Sequence, residues 1–84
     1  MIYRFKPTAL RELKKLPPNI QKRLIAKLEF FLKSNQPLTY ADRLINWELG
    51  QYRFRIGDYR VIFDVEGEII VILSLGHRKE IYKH

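Results

Sequence analysis

The stretch Tyr52-Arg53-Phe54-Arg55-Ile56-Gly57-Asp58-Tyr59-Arg60-Val61 constrains the fold more than any other part of the chain. Apolar and aromatic residues alternate with arginines on both sides of Gly57-Asp58, the pattern of a β-hairpin closed by a two-residue turn. In that register Ile56 faces Tyr59 and Arg55 faces Arg60. Tyr52, Phe54, Tyr59, Val61 and Phe63 then share the face that a core must cover, and Arg53, Arg55 and Arg60 share the other. Like charges directly opposite each other destabilise a sheet. A fold gains nothing from placing Arg55 against Arg60, whereas a site that grips phosphate does. Arg78, in Gly76-His77-Arg78, offers a third guanidinium from the end of the next strand.

The rest of the chain supplies what the hairpin needs. Tyr3 and Phe5 alternate with Arg4 and Lys6, which predicts a short first strand. Pro7 suits the first turn of a helix, with Leu10, Leu13 and Leu16 as its narrow apolar stripe, ended by Pro17-Pro18. Asn19 is positioned to cap a second helix, in which Ile20, Leu24, Leu28, Phe31 and Leu32 recur at helical spacing. Ser34 to about Asn46 reads as a long connection with a turn of helix around Tyr40–Arg43. Glu66-Gly67 predicts a second turn. Glu68 to Leu75 is apolar on both faces, as a central strand is. The expected fold class is α+β, with two N-terminal helices packed on an antiparallel β-sheet, in one domain spanning residues 1–84.

Composition narrows the function classes. The chain has 84 residues, 16 Lys and Arg against nine acids, and a net charge of +7. That excess favours a polyanionic partner, most simply nucleic acid. With no cysteine, neither a disulfide framework nor a thiolate metal site exists. No apolar run is long enough to span a bilayer, and Met1–Lys6 lacks the features of a signal peptide. These properties suit the cytoplasm.

Few residue types remain for chemistry. There is no dinucleotide or phosphate-loop motif and no HExxH, and the acids are too scattered for a two-metal nuclease. His77 follows a glycine at a strand end and is a candidate acid or base near neutrality. Tyr82 is either a core anchor or a ring on which a base stacks. Trp47 is read as core packing. Arginines and acid–base side chains suffice to cut RNA, because the ribose 2′-hydroxyl is an internal nucleophile. The enzyme aligns it, takes its proton, stabilises charge on the phosphorane and protonates the leaving 5′-oxygen. No metal or other cofactor is called for.

Four segments together resemble the RelE/ParE toxin superfamily of toxin–antitoxin systems. They are Phe5-Lys6-Pro7, Leu13-Lys14-Lys15-Leu16-Pro17, Tyr52 to Phe63, and Gly76-His77-Arg78-Lys79-Glu80-Ile81-Tyr82. The resemblance covers nearly the whole chain and implies the same α+β fold. Its RelE branch implies an mRNA interferase, a metal-independent endoribonuclease that cuts mRNA in the ribosomal A site. By position, Arg60 resembles the arginine that stabilises the phosphate transition state, and Arg78 the arginine that supports the phosphate and leaving group. Tyr82 resembles the C-terminal tyrosine that positions the substrate base. Arg53 and Arg55 occupy the basic strand where RelE carries lysines and an arginine. Arginine is a poor base, and relatives with a C-terminal histidine use it in acid–base roles, which points to His77. The family implies a cognate antitoxin, in a toxin–antitoxin hetero-oligomer, and the 30S A site with its mRNA. Two alternatives stand beside this one: a ParE-like inhibitor of DNA gyrase, and a non-catalytic RNA-binding module.

Overall fold

The structure is a computed structural model and describes residues 1–46 and 48–81. Trp47 and Tyr82, both singled out above, lie outside the described residues. Along the chain come β1 (Ile2–Phe5), α1 (Pro7–Lys14), α2 (Pro18–Lys33), a short 3₁₀ turn (Pro37–Tyr40), β2 (Ala41–Arg43), β3 (Tyr52–Ile56), β4 (Tyr59–Glu66) and β5 (Ile69–His77). The strands form one sheet in the order β1-β5-β4-β3-β2.

Two helices on a sheet is the expected arrangement, but the sheet is mixed. β2 to β5 are antiparallel to their neighbours, while β1 runs parallel to β5, with Ile2 opposite Ile69 and Phe5 opposite Ile72. A parallel neighbour needs a long crossover, and the whole chain from α1 through β4 serves as that connection. The turn of helix expected around Tyr40–Arg43 is a 3₁₀ turn that stops at Tyr40, and Ala41–Arg43 pairs with β3 as an edge strand. The second hairpin turn sits one residue later than expected: Glu66 pairs with Ile69, leaving Gly67 and Glu68 as the turn.

Both helices begin on proline rather than on a side-chain cap. Pro7 and Pro18 stand at the first helical position, where a missing N–H costs nothing. Asn19 therefore lies inside α2 and caps nothing. The joint is closed instead by Gln21, whose Nε2 donates to the Leu16 carbonyl at 2.8 Å. Leu13 and Ala9 of α1 and Leu24, Leu28, Phe31 and Leu32 of α2 pack on Phe54, Ile56, Val61, Phe63, Ile70, Ile72 and Leu75. This face holds most of the core. On the opposite face Ile62 and Val71 are also buried, and Gly50 presses so close to Ile62 and Leu73 that a Cβ would lie 2.7 Å and 3.0 Å from their side chains.

A β-bulge in β5 adjusts the two faces. Ile62 pairs with Ser74 but Phe63 pairs with Ile72, so Leu73 is the extra residue. The bulge shifts the alternation by one. Leu75 thus joins Ile70 and Ile72 in the core, and His77 comes opposite Tyr59. Beyond Phe5, β1 no longer covers the edge of β5. Glu12 of α1 takes over there, accepting the Leu75 N–H at 3.2 Å and the Ser74 hydroxyl at 3.1 Å through one carboxylate oxygen.

Candidate active site at the hairpin turn

The predicted hairpin forms in the predicted register: Ile56 opposite Tyr59, Arg55 opposite Arg60. Gly57 has φ +60°, and no non-glycine residue among the described residues has a positive φ. A positive φ at the first turn position alone is the type II′ pattern, which matches the twist of a hairpin and calls for glycine there.

Side chains from β4 and from the end of β5 meet at this turn. Arg60 Nη1 donates to the Gly57 and Tyr59 carbonyls, each at 2.8 Å. The Arg78 backbone N–H donates to the Asp58 carbonyl at 2.7 Å, and its Nε lies 3.7 Å from Asp58 Oδ1. Arg60 and Arg78 are thus held by neighbouring residues of one turn, and the Arg78 side chain is 54% exposed. The His77 ring meets the Tyr59 ring edge-on, with centroids 5.5 Å apart. The Lys79 N–H donates to His77 Nδ1 at 3.1 Å. That bond assigns the proton of the neutral ring to Nε2, so in this setting the free nitrogen is a donor.

Arg53 and Arg55 sit on the outer side of β3, beside the edge strand. Both point Nε at one acid, Asp42 of β2, at 3.2 Å and 3.0 Å. Sequence reasoning missed Asp42 because its segment carried no strand signal. The charge conflict between Arg55 and Arg60 is accordingly relieved in two directions: Arg55 turns to Asp42, and Arg60 to backbone carbonyls. Sequence reasoning also missed Arg23. It projects from α2 onto the turn, where a Cβ on Gly57 would overlap its Nη2. Helical spacing marked its neighbour Leu24 as core but gave no sign of what the flank beside it would touch. Gln51 is engaged structurally: its Oε1 accepts the Val65 N–H at 2.9 Å, and its own N–H donates to Asp64 Oδ1 at 2.9 Å.

A family model described as the ParE toxin of the type II toxin–antitoxin system, parDE, matches residues 3–82. The chain belongs to the RelE/ParE toxin superfamily. Toxin RelG of Mycobacterium tuberculosis is 38% identical to it over 84 residues, covering 95% of this chain and 93% of that protein. Toxin RelE3 of Methanocaldococcus jannaschii is 33% identical over 82 residues, with the same coverage of 95% and 93%. Among solved structures, the toxin–antitoxin complex RelBE2 of M. tuberculosis contains a chain that superposes with a TM-score of 0.74 at 34% identity, over 92% of this chain and 96% of that one. The toxin fold and its helix-on-sheet core therefore account for nearly the whole chain. No helix among the described residues is long and apolar enough to cross a membrane.

Proposed function

We propose that this toxin is a ribosome-dependent endoribonuclease that cuts mRNA in the A site by 2′-hydroxyl attack on the adjacent phosphate, and that a cognate antitoxin neutralises it in the cytoplasm. The observation that carries the reading is the placement of Arg60 and Arg78 on neighbouring residues of one exposed turn; His77 precedes Arg78 in the chain but faces Tyr59, on the side of the sheet opposite Arg60. Two guanidinium groups in that relation suit a phosphorane, whose equatorial oxygens gain charge as the 2′-oxygen bonds to phosphorus and the 5′-oxygen departs. The products are a 2′,3′-cyclic phosphate and a free 5′-hydroxyl. Arg60 and Arg78 hold the phosphate. The 2′-hydroxyl gives its proton to water and the departing 5′-oxygen takes one from water; His77, with Nδ1 accepting from the Lys79 N–H, donates a hydrogen bond from Nε2, and a base role at Nε2 demands the other tautomer and loss of the Lys79 contact. Arg53 and Arg55 bind the strand beside the cut, and Tyr82 stacks on the substrate base. The fold relation to toxins solved with their antitoxins supports the antitoxin partner.

The test is primer extension on mRNA translated by purified ribosomes with added toxin. Arg60→Ala and Arg78→Ala should each slow cleavage by on the order of 10²–10³ while remaining folded. Full cleavage by both folded variants removes the assignment. The ParE description of the family favours one second reading, inhibition of DNA gyrase by binding. Under that reading ribosomes yield no cuts, and gyrase supercoiling is blocked instead.

A further inference from the structure

The flank of α2 that leaves the hairpin turn has no role in the chemistry above. Arg23, Lys27 and Phe30 follow one another at four and three residues, so they form a single row along the helix. The row starts at Gly57, which Arg23 overhangs, and runs about 10 Å to Phe30 at a rise of about 1.5 Å per residue. Neither cation forms an ion pair with an acid among the described residues. Like charges four apart on a helix are mildly destabilising, so the fold does not ask for this pair. Lys27 Nζ lies over the Phe30 and Phe31 rings, 5.2 Å and 5.7 Å from their centroids. Phe30 is 57% exposed and Tyr40, in edge contact with it at 5.9 Å, is 45% exposed. These rings are not loose. Tyr40 stacks on Phe31 at 4.7 Å, and Phe31 packs on the buried Phe54 at 4.8 Å.

We propose that this row is a second RNA-contacting surface, continuous with the candidate site across Gly57: Arg23 and Lys27 bind backbone phosphates, and Phe30 with Tyr40 offers a rigid platform on which a base stacks. Cations beside exposed, pre-fixed aromatic rings are what a single strand requires, because every phosphate is negative and every base has a π face. The row carries no acid, and the chain as a whole is +7, so charge complementarity selects a polyanion. The inference rests on reading the turn as an RNA site, but its test reads binding rather than cleavage.

The experiment titrates a fluorescent single-stranded RNA oligonucleotide with the purified toxin at several salt concentrations. Arg23→Ala with Lys27→Ala should reduce the slope of log affinity against log salt by about 1.4, since each phosphate contact on a single strand contributes about 0.7. Arg23→Lys should keep the slope. Phe30→Leu, which preserves an apolar side chain without the ring, should weaken binding by on the order of tenfold or more. Arg11→Ala, on α1, should match the wild type. An unchanged slope and affinity in the Arg23/Lys27 and Phe30 variants overturns the inference, even if the wild type cuts mRNA. Loss of antitoxin binding by those variants with RNA affinity intact overturns it as well and assigns the row to the antitoxin. Conversely, a wild type that binds RNA through this row yet never cuts translated mRNA leaves the inference standing and removes the ribonuclease.

Discussion

Gly57→Ala isolates what the hairpin turn demands of its first residue. At φ +60° an L side chain is strained, and residues held in such sparsely populated regions cost about 1–3 kcal/mol. Alanine also restricts the unfolded chain, which offsets about 0.4–1 kcal/mol. The net loss is about 1–2 kcal/mol. The overlap of the new Cβ with Arg23 Nη2 adds little, because the end of an exposed arginine swings away; such surface effects stay within about 0.5 kcal/mol. For a domain of this size about 1 kcal/mol moves the melting temperature by roughly 4–8 °C, so the expected drop is about 5–15 °C. Two internal controls sharpen the test. Gly67→Ala meets the same strain, at φ +61°, with nothing within 4 Å. Gly76→Ala also meets open space but at an ordinary φ. Urea denaturation, with stability read from the midpoint at a fixed slope, should give similar losses for Gly57→Ala and Gly67→Ala, and none for Gly76→Ala. A Gly57→Ala loss exceeding that of Gly67→Ala by more than about 1 kcal/mol refutes the reasoning. If Arg23→Ala then restores most of that excess, crowding rather than backbone strain is what glycine avoids at the turn.

Ile62→Ala should cost about 2–4 kcal/mol by urea denaturation, because Ile62 is 1% exposed under a glycine that cannot move inward to fill the cavity; a loss under 1 kcal/mol contradicts a packed second face. Glu12→Ala should cost about 1–3 kcal/mol by leaving the Leu75 N–H and the Ser74 hydroxyl without their acceptor, and Glu12→Gln, which keeps a carbonyl oxygen, should cost less. Burial first, then the charge of Glu29 and a hydrogen bond to it, raise the Tyr3 phenol above its ordinary value. The unfolded chain then loses that proton first, so Tyr3 adds stability below about pH 10, and this is lost as pH rises through the folded value; Tyr3→Phe should flatten the alkaline decline in a denaturation series. Asp42→Asn should change stability by less than about 1 kcal/mol, as exposed ion pairs do, while steepening the salt dependence of RNA binding by releasing Arg55.

How much of this was visible in the sequence follows from the range of the interactions involved. The β3–β4 hairpin was fully legible, down to the Arg55–Arg60 apposition, because a period of two and a glycine turn are local signals. The second helix was legible for the same reason, at its own period. The parallel β1–β5 pairing was not: Ile2 meets Ile69 across most of the chain, and nothing in either segment records direction. β2 is strand-like only because β3 is beside it, so Ala41-Asp42-Arg43 gave no warning that Asp42 would meet two arginines. The bulge at Leu73 is the most consequential gap. Simple alternation puts His77 and Leu75 on the face away from the core. The extra residue turns both around, which seats Leu75 in the core and lays His77 against Tyr59.

The bulge and Asp42 together change the electrostatic argument for the site. From sequence, the case for a phosphate ligand rested on two arginines repelling each other across a ladder. In the structure each has an acceptor of its own, so repulsion no longer requires a ligand. Surplus charge takes its place: Arg23, Arg60 and Arg78 gather at a turn whose one acid is Asp58, and the Arg78–Asp58 pair is long and exposed at 3.7 Å. The contacts of Arg60 also have a directional meaning. Its bonds to Gly57 and Tyr59 run through Nη1, so the turn fixes the plane of the guanidinium, and Nε and Nη2 make no hydrogen bond among the described residues. A side chain already oriented by backbone carbonyls loses less freedom when it binds phosphate than one drawn from solution. The turn therefore acts as a mount for Arg60, and the glycine at its apex is needed for the positive φ of the turn's backbone.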